Sequence, residues 1–295
     1  MNKQADSLRL IVKQMKNSIQ AQINGVEKGT RVITISSGKG GVGKSNLSLN
    51  LALALTDFKQ KVMLLDADMG LANIDIILGL TPVYNLAHVI GGEKLIADIV
   101  VEGPQGLKII PGGSGIQELA NLKEWELESF LTKLSMIEGE ADYLLIDTGA
   151  GLSNSVLSFA LAADELIVVT TPEPTAITDA YGLIKALCQQ DFTGKIYLVV
   201  NRVVSPKEAA VVFEKLQTAT HKFLDYEIEF LGYIVEDVKV GQAIQAQKPF
   251  LIAYPQTMAA NNLYTIAAKI TDQENQIAAG KGIKGFFSKV IGYFR

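Results

Sequence analysis

Short apolar runs alternate with longer stretches of helical spacing along most of the chain. The runs at 32–35, 62–65, 107–110, 143–146, 166–169, 196–200 and 230–235 are rich in Val, Ile and Leu. Continuous apolar runs of that length read as strands buried on both faces. Between most of them, the stretches 46–55, 125–137, 153–160, 176–187 and 207–221 repeat their apolar residues at helical intervals. Strand followed by helix, again and again, predicts an α/β fold with a mostly parallel sheet of about seven or eight strands and helices on both faces. No internal repeat or low-complexity tract interrupts the pattern.

Both ends depart from it. Leu8, Val12, Met15 and Ile19 fall at helical spacing and predict an amphipathic helix, which Asn24, Gly25 and Gly29 break before the first strand. Residues 273–282 are polar, end in Gly280 and Gly282, and read as a linker. Beyond them Ile283, Phe286, Phe287, Val290, Ile291 and Phe294 form one continuous apolar stripe, with Lys284, Ser288, Lys289 and Arg295 largely off it. That is the pattern of a short interfacial helix that sinks aromatics into a bilayer while its lysines meet anionic headgroups. The same stripe also suits a helix docked on the protein's own body, a resting state from which a bound ligand would release it. The expected organisation is an N-terminal helix at 1–28, an α/β domain at 29–272, a linker at 273–282 and a membrane-targeting helix at 283–295.

Composition narrows the class. A chain of 295 residues with 48% hydrophobic and 20% charged residues buries a large core and is not disordered. Its single cysteine, Cys188, excludes an intramolecular disulfide and a cysteine-rich metal site, and fits a reducing cytoplasm. The longest apolar candidate, 157–170, carries Asp164 and Glu165 in its middle, so no membrane-spanning helix is expected. The net charge of -4 hides a split. Residues 1–22 carry +3 and residues 281–295 carry +4, which leaves the rest at -11. Basic ends on an acidic body suggest separate tasks for the ends. His88 and His221 stand apart from any metal-ligand spacing and take neither metal nor acid–base work.

The strongest chemical signal is Gly38, Lys39, Gly40, Gly41, Val42, Gly43, Lys44 and Ser45, a GxxxxGK[ST] loop between an apolar strand and the helix that begins at Asn46. Glycines let successive amide hydrogens point at phosphate oxygens, and the helix start adds partial positive charge. Lys44 would neutralise the β and γ phosphates of ATP, and the Ser45 hydroxyl would ligate Mg2+. A second lysine, Lys39, is unnecessary in a generic loop. It fits a nucleotide handled across a dimer interface, where a cation reaches the other subunit's phosphates in trans. The run at 144–151 reads as a strand that delivers Asp147 to the metal, followed by glycines that permit a switch. In the turn at 171–175 prolines set the path, and Thr175 is placed to cap the next helix.

The loop with its second lysine resembles the deviant Walker A motif of the MinD/ParA family of dimerising ATPases. The resemblance implies that Lys39 acts across an ATP sandwich dimer, that Asp68 orients the attacking water and that Asp66 supports the Mg2+ shell. It also implies that Asn201 and Arg202 form the adenine-binding step. MinD itself usually has proline where this chain has Gly149, and it begins almost at its P-loop strand, whereas this chain spends about thirty residues before it. The segments 147–151 and 171–181 resemble most the FlhG branch (FleN, YlxH), which controls flagellar number and placement. In that branch an N-terminal motif stimulates the GTPase FlhF. Gln4, Leu8 and Arg9 match it, with Lys3 where an Asp is usual. The resemblance implies a Mg2+-ATP-dependent homodimer with slow hydrolysis that is cytoplasmic and reversibly peripheral on the inner face of the membrane. Implied partners are lipid, FlhF and flagellar rotor or regulatory proteins, with no specific nucleic acid. A MinD-type or ParA-type positioning ATPase and a scaffold with negligible turnover are the alternatives.

Overall fold

The computed structural model describes residues 29–68, 73–272 and 282–294. The expected N-terminal helix with Gln4, Leu8 and Arg9, and the linker up to residue 281, lie outside these residues. Among the described residues the sheet has eight strands: β1 (Arg31–Ser37), β2 (Val62–Ala67), β3 (Val101–Glu102), β4 (Lys108–Pro111), β5 (Tyr143–Ala150), β6 (Glu165–Thr170), β7 (Lys195–Val203) and β8 (Glu229–Val235). Their spatial order is β3-β4-β2-β5-β1-β6-β7-β8, and only the short edge pair β3–β4 is antiparallel. The seven expected strands are all present. The eighth, β3, is two residues long and carries no periodicity that a sequence could display.

Side-chain alternation divides the sheet between two cores. Ile33, Ile35, Leu64, Leu145, Ile167, Val169 and Val199 pack on one face with α1 (Lys44–Asp57) and a long helix near the end of the domain. Their neighbours Met63, Leu65, Leu144 and Ile146 face the other side, as do Leu166, Val168, Leu198 and Val200. A short helix, α2 (Asn73–Leu78), follows β2. On the second face lie α3 (Glu124–Ser135), α4 (Asn154–Ala162), α5 (Pro174–Cys188) and α6 (Pro206–Leu224). Ser205 caps α6 through Glu208 N at 3.2 Å with Pro206 in its first turn, the start signal that its sequence carries. The helix on the first face is α7 (Met258–Asp272). Arg31 ties the base of the sheet by pairing with Glu165 on β6 and donating to Ile270 O of α7 at 2.7 Å.

The apolar stripe at the C-terminus forms α8 (Ile283–Phe294) and packs on the second face of the sheet, against α4 and α3. Ile283, Phe286, Phe287, Val290 and Ile291 are all buried, and Phe294 is half-buried. Phe159 of α4 meets Phe286, Phe287 and Phe294 at ring-centroid distances of 6.1, 6.4 and 6.3 Å, while Phe130 of α3 meets Phe287 edge-on at 5.7 Å. Lys289 Nζ lies 3.3 Å from Asp164 Oδ1 on the surface. Glu138 joins both ends of the domain, accepting from Thr30 N and from Lys284 N, each at 3.2 Å. Of the two placements that the stripe suited, the structure has the docked one.

Candidate nucleotide site

Adjacent strands β2, β5 and β1 assemble the site at their carboxyl ends. From β1 the chain winds outward to β2, β4 and β3, and from β5 it crosses β1 to β6, β7 and β8, so the winding reverses between the adjacent strands β1 and β5, and such a switch point opens a crevice. Register places Asp66 of β2 directly opposite Asp147 of β5, and Asp147 opposite Ile35 of β1. The glycine loop then leaves β1 and enters α1.

Three of its glycines are required by geometry, Gly41 because its φ of 80° is left-handed. A methyl group on Gly38 would come within 2.1 Å of Asp179 O, so this glycine lets α5 pack against the loop. Gly43 is left-handed, with φ of 88°, and a side chain there would strike Asn201 Nδ2 at 2.4 Å. A side-chain carbon on Gly40 or Gly41 would meet nothing within 4 Å. Val42 is buried, and Asn201 Nδ2 donates to its carbonyl at 2.8 Å. Asn201 Oδ1 accepts from Arg202 N at 3.0 Å, with Arg202 at φ of 57°. The expected adenine step therefore also braces the phosphate loop. Asn46 Oδ1 accepts from Asn50 Nδ2 at 2.6 Å, which ties it into α1.

The two lysines are placed apart. Lys44 is buried, with Nζ 2.9 Å from Asp147 Oδ1 and 3.4 Å from Ser45 Oγ. Lys39 is exposed, with Nζ 3.0 Å from Glu173 Oε2 and 2.9 Å from Thr175 Oγ1. Helix α5 begins at Pro174 with Glu173 as its cap residue, two residues earlier than expected. Thr175 thus lies inside the first turn and accepts from Lys39 instead of capping the helix. Glu173 sits in a stretch singled out for its turn, and its partnership with Lys39 has no signal in sequence spacing.

The acidic residues have distinct environments. Asp147 is fully buried; Lys44 and Ser48 Oγ, the latter at 2.7 Å, approach its Oδ1, while Oδ2 accepts no hydrogen bond among the described residues. Asp66 accepts from Asp68 N at 3.1 Å and Ile74 N at 3.2 Å. Burial, reinforced by the neighbouring Asp147, pushes the Asp66 carboxyl up to about 7. Asp68 is half-buried, and Asn73 Nδ2 donates to its Oδ2 at 3.1 Å. A side chain at Gly149 would meet Asp68 Oδ1 and Val156 only at ordinary contact, so glycine there is not imposed by crowding. Ser48 and Asn73 were missed from sequence. Ser48 lies one helical turn after Lys44 on the same face, and that spacing was the available signal.

The residues fit a magnesium nucleotide. Ser45, Asp66 and Asp147 carry hard oxygen atoms of the kind that Mg2+ prefers, and Asp147 Oδ2, buried and without a partner among the described residues, is an acceptor in need of a cation or donor.

Comparison with known proteins gives the family. The ParA family model, described as the NUBPL iron-transfer P-loop NTPase, matches residues 28–271. The antiactivator FleN of Pseudomonas aeruginosa is 42% identical over 240 residues, 81% of this chain and 86% of that protein. The flagellum site-determining protein YlxH of Helicobacter pylori is 35% identical over 269 residues, 90% of each. Among solved structures, MinD in the MinC:MinD cell division complex of Aquifex aeolicus aligns with a TM-score of 0.66 at 26% identity, covering 86% of this chain and 99% of that one. MinD of Pyrococcus horikoshii, complexed with Mg-ADP, has the same fold, with a TM-score of 0.64 at 24% identity over 82% and 96% of the two chains. The chain belongs to the ParA/MinD-type P-loop NTPases, ATPases that bind ATP with Mg2+.

Proposed function

We propose that this ATPase is a dimerising switch of the FlhG type that regulates flagellar number or placement and cycles on and off the membrane. The observation that carries the reading is the separation of its two lysines. Lys44 is buried inside its own site, whereas Lys39 projects to the surface, where an exposed carboxylate and a hydroxyl are its partners among the described residues. A cation on that surface is available to a second copy's phosphates. The flagellar assignment is supported by likeness to FleN and YlxH.

Bound Mg2+ and ATP would supply charge neutralisation and a phosphoryl group open to attack by water. The chain's residues do the remaining work. Ser45, Asp66 and Asp147 would hold the metal, Lys44 would turn from Asp147 to the phosphates, and Asp68 would orient water. Asn201 and Arg202 meet the base.

Docked α8 supports a latched resting state in which the membrane stripe is hidden. Burying five apolar side chains contributes about 1.5 to 3 kcal/mol each before the cost of ordering the tail, whereas an exposed pair such as Lys289–Asp164 contributes about 0 to 1 kcal/mol. Ring packing therefore holds the latch, and the ion pair adds little. In the dimer two released tails engage lipid together, gaining avidity without new contacts. Gln4, Leu8 and Arg9 present the stimulating motif to the GTPase FlhF.

Among the described residues no helix is long and apolar enough to cross a membrane. Co-sedimentation with anionic liposomes tests the cycle. Full-length protein should bind with a nonhydrolysable ATP analogue and poorly with ADP, and a chain ending at Gln276 should bind in neither state. Equal binding by the two chains would end the membrane role.

A further inference from the structure

Ser48 is completely buried in α1, one turn beyond Lys44. Its hydroxyl is 2.7 Å from Asp147 Oδ1 and 3.0 Å from Lys44 O. A serine inside a helix commonly donates back to the carbonyl four residues earlier, which is the ordinary role for this hydroxyl. One hydroxyl has one proton, however, so the two acceptors compete for it. The carboxylate is nearer and charged, and a charge-assisted hydrogen bond is about twice as strong as a neutral one. The proton therefore goes to Asp147.

Asp147 is held on one side only. Oδ1 receives both Lys44 Nζ at 2.9 Å and Ser48 Oγ, while Oδ2 is buried with no partner among the described residues. Lys44 cannot serve Asp147 and the nucleotide's phosphates at full strength together. When it turns to the phosphates, Asp147 Oδ1 keeps a single donor among those it has here, and that donor is Ser48. Without it, the carboxylate could rotate and offer either oxygen to a cation in several poses.

We propose that Ser48 is a positioning residue for the metal site: it pins Asp147 through Oδ1 after Lys44 has left, so that Oδ2 stays turned to Mg2+. The proposal rests on the reading of Asp147 as a metal ligand. Partners of metal-binding carboxylates that fix their orientation typically matter by about 10-fold to 100-fold in metal affinity. Ser48 approaches Asp147 from the helix rather than from the nucleotide side, so it should act on the metal-dependent part of binding alone.

The test compares ADP affinity in excess Mg2+ with ADP affinity in EDTA, for the full chain and its variants. Ser48→Ala should lower the Mg2+-dependent affinity by about tenfold, leaving the EDTA value unchanged. Ser48→Thr, which keeps the hydroxyl, should recover most of the loss. If the alanine variant melts early, Ser48→Cys keeps the volume but donates weakly, and it should show the same Mg2+-specific loss. Equal losses with and without Mg2+, or no loss at all, would overturn the proposal. Asp147→Asn separates the two assignments. If that variant keeps its Mg2+ dependence, the metal role of Asp147 has failed; if it loses the dependence while Ser48→Ala keeps it, only the role of Ser48 has failed.

Discussion

Lys44 Nζ stands 2.9 Å from Asp147 Oδ1 in an ion pair whose side chains are 6% and 0% exposed. Removing one partner of a buried pair leaves the other charge uncompensated, which costs about 3 to 5 kcal/mol. Lys44→Ala is therefore expected to lower the melting temperature of the nucleotide-free protein as well as abolish ATP binding. Adding Asp147→Asn should recover a large part of the stability and none of the binding. A double-mutant cycle by thermal or denaturant unfolding measures this coupling.

Asp66 gives a pH dependence with a definite sign. Its carboxyl is raised from 3.8 to about 7 in the folded chain, chiefly by burial and then by Asp147. Between those values the folded state holds a proton that the unfolded state has released. The contribution of Asp66 to stability is thus full below the lower value and falls as pH rises to about 7. Mg2+ binding needs the carboxylate, so metal-dependent ADP affinity should rise through the same window with release of a proton. Calorimetry in buffers of different ionisation enthalpy reads that proton, and Asp66→Asn should remove it.

Lys39 and Glu173 form an exposed pair, 38% and 62% accessible, and exposed pairs contribute only about 0 to 1 kcal/mol. Glu173→Ala should hardly move the melting temperature. It frees Lys39 for a second copy's phosphates, so ATP-dependent dimers should form at lower protein concentration. Lys39→Ala should prevent them. Light scattering across a concentration series distinguishes these outcomes.

Deleting α8 uncovers Phe130 and Phe159 on the second face of the sheet. A chain ending at Gln276 should melt several degrees lower and bind an apolar dye such as ANS more strongly, because the groove that held five buried side chains is exposed to water. Lys289→Ala, which removes only the surface ion pair, should change neither readout appreciably.

Much of this fold was legible because its central strands are buried on both faces and so appear as apolar runs without alternation. The residues from Gly38 to Ser45 announced their chemistry because a phosphate-binding loop constrains residue type and spacing together. Helix α7 was legible but unread: Ala259, Ala260, Leu263, Ile266, Ala267 and Ile270 follow helical intervals, although three alanines and an Asn pair weaken the contrast. Strand β3 was illegible because two residues have no period. The stripe from Ile283 to Phe294 predicted a helix correctly, but an apolar face looks the same whether it meets lipid or protein. Complementary rings on α3 and α4 decide its resting place, and they are more than 120 residues away in sequence. The partnerships of Lys39 with Glu173 and of Ser48 with Asp147 were hidden similarly, since each depends on two elements meeting in space.

The central claim is that nucleotide controls dimerisation through the face carrying Lys39. Light-scattering mass measurement on the full chain with Mg2+-ADP and with a Mg2+-bound nonhydrolysable ATP analogue tests it most directly. The account predicts a monomer with ADP, a dimer with the analogue and a monomer in both for Lys39→Ala; a mass that is the same with either nucleotide would contradict it.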